Sequence, residues 1–530
     1  MKPSTERIKF FKDLYNDARQ KASAELDAFE HHRAQYTTGR VSNGAKNTPV
    51  VRNITYELIE SEVSTDIPMP RVTPCRRDGE REKYALAIEQ LCRDLRDSLD
   101  MEKLNDIDER YTYVLGGSVF LCEWDGERGC PVISCISPES FIPEPGVTEI
   151  ERMNYCFIVA SRSPEDIEKT FGVKVRVSPA EDAPQVVICY WKNDRGEVSR
   201  YVFTGDTELS DEENYYARRD SEGNVVTHEE LDGGEAAGKA LPKGKLAYYL
   251  PRVFPIAVRR NVSKPMSLFG QSDCRIISTQ QDAINRIESR IYQKLIRSAV
   301  MPYMPDDCRI TPTNSVFGEV IHIDPSDTAS KFGIIDTTPD IKQDIEQSDR
   351  LYAHARRLLG ITDSYTGDSD SSATSGYAIA LKVSQSAGRL RSRRVMKNAL
   401  YAELDKIIFG LYLAFCDERI PLGYTDVFGS RHGIEFSRYD FIVYDEVSGE
   451  WKYDDGYMFS ADKSLPSDSQ DTESLREATL SYYKEGLFGD PDSDMARRLC
   501  WARLEALGYP DAHSLAAVFE TGAPKDGEAL

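Results

Sequence analysis

Residues 270–300, GQSDCRIISTQQDAINRIESRIYQKLIRSAV, decide how this chain is read. Ile276, Ile277, Ala283, Ile284, Ile287, Ile291, Leu295 and Ile296 recur at spacings of three and four, the period of one apolar helix face. Arg, Asp, Glu, Gln and Ser fill the other positions, so the stripe is narrow and the helix packs on one or two sides. From Ser272, read as N-cap, to Val300 such a helix spans roughly 44 Å. A proline-bracketed stretch, 303–339, follows with strand-like runs at 320–323 and 332–335. It is too small to hold a core of its own and must lean on neighbours. A second helical pattern covers 340–359 through Ile341, Ile345, Leu351, Tyr352, Ala355, Leu358 and Leu359. The polar stretch TDSYTGDSDSSATSG (362–376) then opens into a third helix of about forty residues. No nucleophile, metal cluster or phosphate cradle is embedded in this order, which suits a mechanical element better than an active site.

Outside this region, composition sets the class. A chain of 530 residues outgrows a single core, so roughly two to four domains are expected. With 40% hydrophobic and 29% charged residues it reads as folded, not disordered. The net charge of -22 excludes a protein that grips nucleic acid by broad phosphate neutralisation, but not one past which DNA slides. No apolar run reaches the ~18–20 residues of a membrane span, and the first residues are amphipathic, not signal-like. Eleven scattered cysteines, an odd number, read as reduced thiols in a cytosolic fold, not a disulfide framework.

The pattern along the chain is α+β and helix-rich. Helices are expected over 4–36, over 48–63 with Thr48 as N-cap and Pro49 in the first turn, and over 81–104. Strands at 119–124 and 131–136 flank the turn residues Asp125-Gly126, and a second hairpin joins 186–191 to 198–203. Ser163-Pro164-Glu165-Asp166 opens a short helix that Gly172 closes. Segment 205–235 holds 11 acids against 2 arginines and reads as an exposed acidic excursion. Ile434, Phe436, Tyr439, Phe441 and Val443 alternate with one slip, a strand with a bulge. Residues 469–519 read as helical.

Chemical motifs are sparse. Gly233-x4-Gly238-Lys239 matches the start of a phosphate loop, but Ala240 takes the hydroxyl position and Leu241-Pro242 follows, so it reads as chance. His31-His32 cannot point both rings the same way on one helix, and no zinc spacing occurs. No catalytic residue, metal ligand or cofactor is therefore assigned. One basic cluster stands out: Arg389, Arg391, Arg393, Arg394 and Lys397, with Arg389, Arg393 and Lys397 on one helix face. Two readings are open, a solvated or intersubunit ion-pairing face and a contact with DNA phosphates. The stretch Thr362, Asp363, Ser364, Tyr365, Asp368, Asp370, Ser371, Ser372 and Thr374 also leaves two readings, a disordered linker and a mobile functional loop.

Five stretches together resemble the portal proteins of tailed bacteriophages, in their medium-sized, siphophage-like class. They are NITYELIESEVSTDIPMPRVTP (53–74), YVLGGSVFLCEWD (113–125), ISPESFIPEPGV (136–147), GQSDCRIISTQQDAINRIESRIYQKL (270–295) and GITDSYTGDSDSSATSGYAIALKVSQSAGRLRSR (360–393). The C-terminal hundred or so residues match only in being helical. The resemblance implies a portal fold and a ring of about twelve subunits at one capsid vertex. DNA would be packaged through it by the terminase motor and later ejected, and neck or tail components would attach to it. It implies a wing over 1–265, stem helices over 266–301 and 340–361, and a clip over 302–339. The channel loop would be 362–375, a long wing helix and returning strand 376–464, and a helical crown and tail 465–530. Asp306, Asp307, Asp324 and Asp327 in the clip are the implied docking points for terminase or adaptor. The implied partners are other copies of the chain, the terminase large subunit, a head-completion adaptor, capsid and scaffolding proteins, and passing double-stranded DNA, with no membrane. The setting would be the virion, assembled in the bacterial cytoplasm. Such a portal is not an enzyme, because the ATPase belongs to terminase. An acidic lumen would repel DNA and prevent arrest. The alternatives are another head–tail connector ring and, from a different class, a terminase-type enzyme or nuclease.

Overall fold

The computed structural model describes residues 4–41, 49–76, 78–175, 183–220, 222–233, 235–236, 239–240, 243–297, 300–305, 321–323, 333–336, 339–361, 376–425, 431–446, 449–462, 469–490 and 493–506, with the backbone alone at 4–5, 232, 235–236, 239–240, 297, 300–305, 321–323, 333–336, 376–391, 424–425, 431–432, 462, 469–475 and 505–506. The N-terminal apolar stripe forms α1 (Ser4–Thr38). α2 (Ile54–Glu62) starts later than the expected Thr48–Pro49, because Asn53 supplies the cap: its side chain accepts the Tyr56 N–H at 3.1 Å. Thr48 itself lies outside the described residues. After β1 (Met69–Pro74), the expected single helix is two, α3 (Gly79–Ser98) and α4 (Met101–Leu115). Leu99 adopts an extended conformation between them, a break that the uninterrupted apolar period conceals.

β2 (Gly117–Asp125) and β3 (Cys130–Ile136) form the hairpin that Asp125-Gly126 signals, with the Asp125 carboxylate accepting the Glu127 N–H at 2.9 Å. β4 (Phe141–Pro143), β5 (Tyr155–Ser161), β6 (Gln185–Lys192), β7 (Val198–Thr204) and β8 (Thr207–Glu212) build an antiparallel five-stranded sheet in chain order. α5 (Pro164–Phe171) sits between β5 and β6, capped by Ser163 and ended by left-handed Gly172 as expected. Strand alternation gives this sheet two buried faces. Phe157, Cys189, Tyr201 and Phe203 pack on Phe11 and Tyr15 of α1, and Ile158, Ile188, Tyr190 and Val202 join the main core.

The acidic segment is not a free excursion. It contains β8 and the short strands β9 (Arg218–Arg219), β10 (Val225–Val226) and β11 (His228–Asp232). Its acids find bases elsewhere: Asp206 with Lys12, Asp211 with Arg7, Glu212 with Arg200 and Glu229 with Arg438. Local composition showed the acids but not these distant partners. β12 (Glu235–Ala236), β13 (Lys239–Ala240) and β14 (Lys243–Ala247) follow, β14 pairing with β11. β15 (Ile256–Arg260) then adds to β2, giving the sheet order β15-β2-β3.

Next come α6 (Asp273–Arg297) and a three-stranded module. Its strands are β16 (Val300–Pro305), β17 (Ile321–Ile323) and β18 (Gly333–Asp336), with β16 in the middle. β16 takes Val300, which the helical pattern had claimed; the residue before a proline favours extended backbone, and Pro302 and Pro305 both lie in this strand. α7 (Lys342–Leu359) and the 40-residue α8 (Gly376–Phe415) match the expected helices. β19 (Ile420–Thr425) pairs with β20 (Arg431–Phe436), and β21 (Ile442–Asp445) with β22 (Glu450–Tyr453). The expected slip between Phe436 and Val443 is a 3-10 turn, Arg438–Phe441. β23 (Tyr457–Asp462) pairs back onto β1, and α9 (Ser469–Lys484) packs on α10 (Asp494–Ala506).

The second half of α8 is apolar almost all round, the mark of a helix inside a core. Leu400, Leu404, Ile407, Ile408 and Leu411 are buried there, against α3, β2, β15 and β23. Phe409, Phe441 and Tyr457 meet edge to face. The whole is mixed helix and sheet, an α+β architecture. Among the described residues no helix is long and apolar enough to cross a membrane.

Candidate functional site

The candidate site is the root of the α6–α7 hairpin, where backbone and charge are both fixed. Gly116 ends α4 at φ +93°, a conformation that favours glycine. Its carbonyl accepts the N–H of Asn261 at 3.0 Å and of Gly270 at 2.9 Å. A Cβ on Gly116 would overlap the Gly270 carbonyl oxygen, and one on Gly117 would lie 2.5 Å from the Arg259 carbonyl oxygen. Three chain segments therefore touch backbone to backbone. Ser272 stands just before α6 as expected, its carbonyl accepting the Ile276 N–H at 3.2 Å, and its hydroxyl donates to Val114 O at 2.6 Å, tying the start of α6 to the end of α4.

Side-chain charges close the junction. Arg393 of α8 reaches Glu62 of α2 at 2.5 Å and Asp273 of α6 at 2.8 Å, while its guanidinium lies 5.1 Å from the Tyr113 ring. Asn261 donates to the same Asp273 oxygen at 3.0 Å. Beside them Arg259 of β15 contacts Asp108 at 2.5 Å and Glu109 at 2.7 Å, and Lys397 contacts Glu109 at 2.9 Å. Ser118 donates to Asp108. Burial alone would raise the Glu109 carboxyl, but Arg259 and Lys397 outweigh it and hold the group at about 2. Burial lowers Lys397 although Glu109 opposes it. Glu62 and Asp273 go the other way: burial pushes both up despite Arg393. A second buried pair, Arg96 with Asp405 at 2.5 Å, ties α3 to α8, and burial lifts Asp405 to about 6. Buried pairs of this kind add little net stability over apolar packing but are costly to break, so they specify an arrangement.

Two expected contact residues are thereby corrected. Arg393 and Lys397 are only 6% and 5% exposed and are paired within the chain, so neither faces DNA or a neighbouring copy. Arg394, one residue on, is exposed. Arg389 and Arg391 lie on the described backbone of α8, with side chains outside the described residues. A basic helix face reads the same in sequence whether it meets water or buried carboxylates, and here the carboxylates come from positions 62, 109 and 273.

Beyond the root, α6 and α7 run antiparallel, as Gln280 near His354, Glu288 with Ser348, and Lys294 with Asp344 show. Ile277, Ile284, Ala355 and Leu359 pack with Ile54 and Leu58 of α2. A polar stripe on α6, missed from sequence, grips the segment before α2. Gln281 donates to Arg52 O at 2.7 Å, Asn285 to Gly39 O at 2.7 Å and Ser289 to Val50 O at 3.1 Å. The signal was three polar residues at four-residue spacing among the isoleucines. At the far end Tyr292, Leu295, Ile296 and Ile345 are exposed.

The expected loop residues Thr362, Asp363, Ser364, Tyr365, Asp368, Asp370, Ser371, Ser372 and Thr374, and the acids Asp306, Asp307, Asp324 and Asp327, lie outside the described residues. Gly233 and Lys239 sit in a run of short strands, with no helix after the lysine to face a phosphate. Among the described residues no group of acids, histidines or cysteines could hold a metal ion. The described cysteines are unbridged, and burial pushes the thiols of Cys92, Cys122, Cys156 and Cys189 up. What the junction does chemically is hold charge and hydrogen bonds in a fixed geometry. No protein-family model matches the chain, and comparison with curated proteins finds no significant match.

Proposed function

We propose that the chain is one subunit of a ring-shaped portal at a phage capsid vertex, a passive conduit through which double-stranded DNA is packaged and ejected. One observation carries this reading. A two-helix hairpin bears a three-stranded module at its far end, and the long helix that follows 362–375 returns to hold the hairpin at its root through Arg393. At 1.5 Å per residue α6 and α7 extend roughly 37 and 27 Å, lengths suited to lining a channel wall. Two further features support it. The far end carries apolar side chains that adjacent copies would cover. Each subunit would also bring a net charge of -22, so passing DNA is repelled more than it is gripped.

In this reading the subunit hydrolyses nothing, and the terminase large subunit supplies the motor. An adaptor, capsid and scaffolding proteins, and DNA complete the set of partners. Residues 302–339 would form the docking clip and 362–375 the loop nearest the DNA. The test is electron microscopy of the purified full-length protein. Rings with a central channel are expected; monomers alone at high concentration would overturn the proposal. ATP hydrolysis by the purified chain, lost in Lys239→Ala, would favour an enzyme instead.

A further inference from the structure

We infer that Glu62 and Asp273 hold one proton between them, which makes the root of the hairpin a proton-binding site joining α2, α6 and α8. The inference concerns the chain itself and stands whether or not copies of it form a portal. The first argument is charge. Four carboxyl groups, Glu62, Asp108, Glu109 and Asp273, share the buried cluster with three cations, Arg259, Arg393 and Lys397. Asp108 and Glu109 are balanced by Arg259 and Lys397. Glu62 and Asp273 face Arg393 alone, which leaves one negative charge in excess. An uncompensated charge is not sustained in a protein interior, and one proton removes it.

The second argument is the placement of individual atoms. Arg393 takes one oxygen from each acid, Oε2 of Glu62 at 2.5 Å and Oδ1 of Asp273 at 2.8 Å. Oε1 of Glu62 and Oδ2 of Asp273 are left buried with no hydrogen-bond partner as long as both groups are ionised. An O–H on one carboxyl, directed at the other, satisfies both atoms at once. The two carboxyls lie close enough to influence each other by hydrogen bonding as well as by charge. Burial, then the Asp273 charge, pushes Glu62 well up against the pull of Arg393, which agrees with an O–H on Glu62.

Asn261 donates to Asp273 and Tyr113 of α4 lies beside Glu62, while Asp108 and Glu109 of α4, Ser118 of β2, Arg259 of β15 and Lys397 of α8 form the adjoining half of the cluster. Among these described groups both cations besides Arg393 are already engaged by Asp108 and Glu109. The sign follows. A carboxyl whose folded value is raised stabilises the fold below its unfolded value and loses that contribution as pH rises towards the folded one. Removing the proton sets two carboxylates against one guanidinium where α8 meets the first turn of α6.

The experiment uses the full-length protein. Infrared spectra at about pH 8, above the values near 7 and 6 of Glu403 and Asp405, should show a protonated-carboxyl band that shifts in heavy water and that Glu62→Gln and Asp273→Asn each remove. In Glu62→Gln the amide N–H replaces the O–H, so the fold is kept. The ratio of wild-type to variant unfolding constants should then rise with pH above the ordinary carboxyl range, by up to about ten-fold per pH unit. No such band in the wild type, a band that both variants retain, or a ratio independent of pH would overturn the inference. If a variant fails to fold, the wild-type spectrum decides.

Discussion

The two ends of one helical hairpin are built in opposite ways. At the root, charged side chains from α2, α4, β15, α6 and α8 are buried against one another and glycines let backbones touch. At the far end Tyr292, Leu295, Ile296 and Ile345 stand exposed, and the Asp344 pairs with Arg290 and Lys294 reach solvent on the basic side. Surface pairs of that kind contribute at most about 1 kcal/mol, whereas breaking a buried one costs several times more. The root therefore gets its geometry from the chain alone. Among the described residues the far end presents exposed apolar side chains instead.

The sharpest way to break this contrast is Arg393→Met. It keeps the volume and the apolar stem but leaves Glu62 and Asp273 without their cation. The expected loss is about 3–5 kcal/mol, read from urea unfolding of the full-length protein. A loss below about 1 kcal/mol would mean that the root is held by packing and that its charges are incidental.

How much of this was legible follows from what each signal needs. The helices α1, α6, α7 and α8 and the β2–β3 hairpin were readable because period and turn chemistry are local. The junction was not, since Glu62, Asp273 and Arg393 meet across more than 300 positions (Glu62 to Arg393 is 331). Arg393 and Lys397 at four-residue spacing look like a solvated face unless those acids are already placed. The same blindness made the acidic segment look free, because Arg7, Arg200 and Arg438 lie elsewhere in the chain. The break at Leu99 was hidden for another reason: apolar residues keep their helical period across it.

Acid tests the other half of the root. Glu109 is held at about 2 against an ordinary value of 4.5, so its contribution is fully present above 4.5 and is lost as pH falls towards about 2. The loss should be of the order of 3 kcal/mol, seen as a falling denaturant midpoint over that window. Glu109→Gln should abolish most of this dependence, at the cost of lower stability at neutral pH. An unchanged acid limb in that variant would place the acid-sensitive charge elsewhere.

The backbone contact should be next in size. In Gly116→Ala a methyl group meets the Gly270 carbonyl at a residue held at φ +93°. A loss of roughly 1–3 kcal/mol is expected. Gly146→Ala, also at positive φ but with open space around its Cβ, is the control that separates strain from contact. Equal losses in the two would show that close approach at the root matters little.

The smallest effect belongs to the far end, and its smallness is the point. Leu295 and Ile296 are 49% and 63% exposed, so cutting both to alanine should change the stability of the dilute single chain by no more than about 0.5 kcal/mol per site. If copies of the chain cover this face, the same double variant should shift sedimentation towards smaller species at concentrations where the wild type associates. A folding loss above about 2 kcal/mol would mean that the chain covers the face itself. The two ends would then differ in chemistry but not in dependence on a neighbour. Unchanged folding with weakened association would make the far end the part of the hairpin that needs another copy, and the root the part that does not.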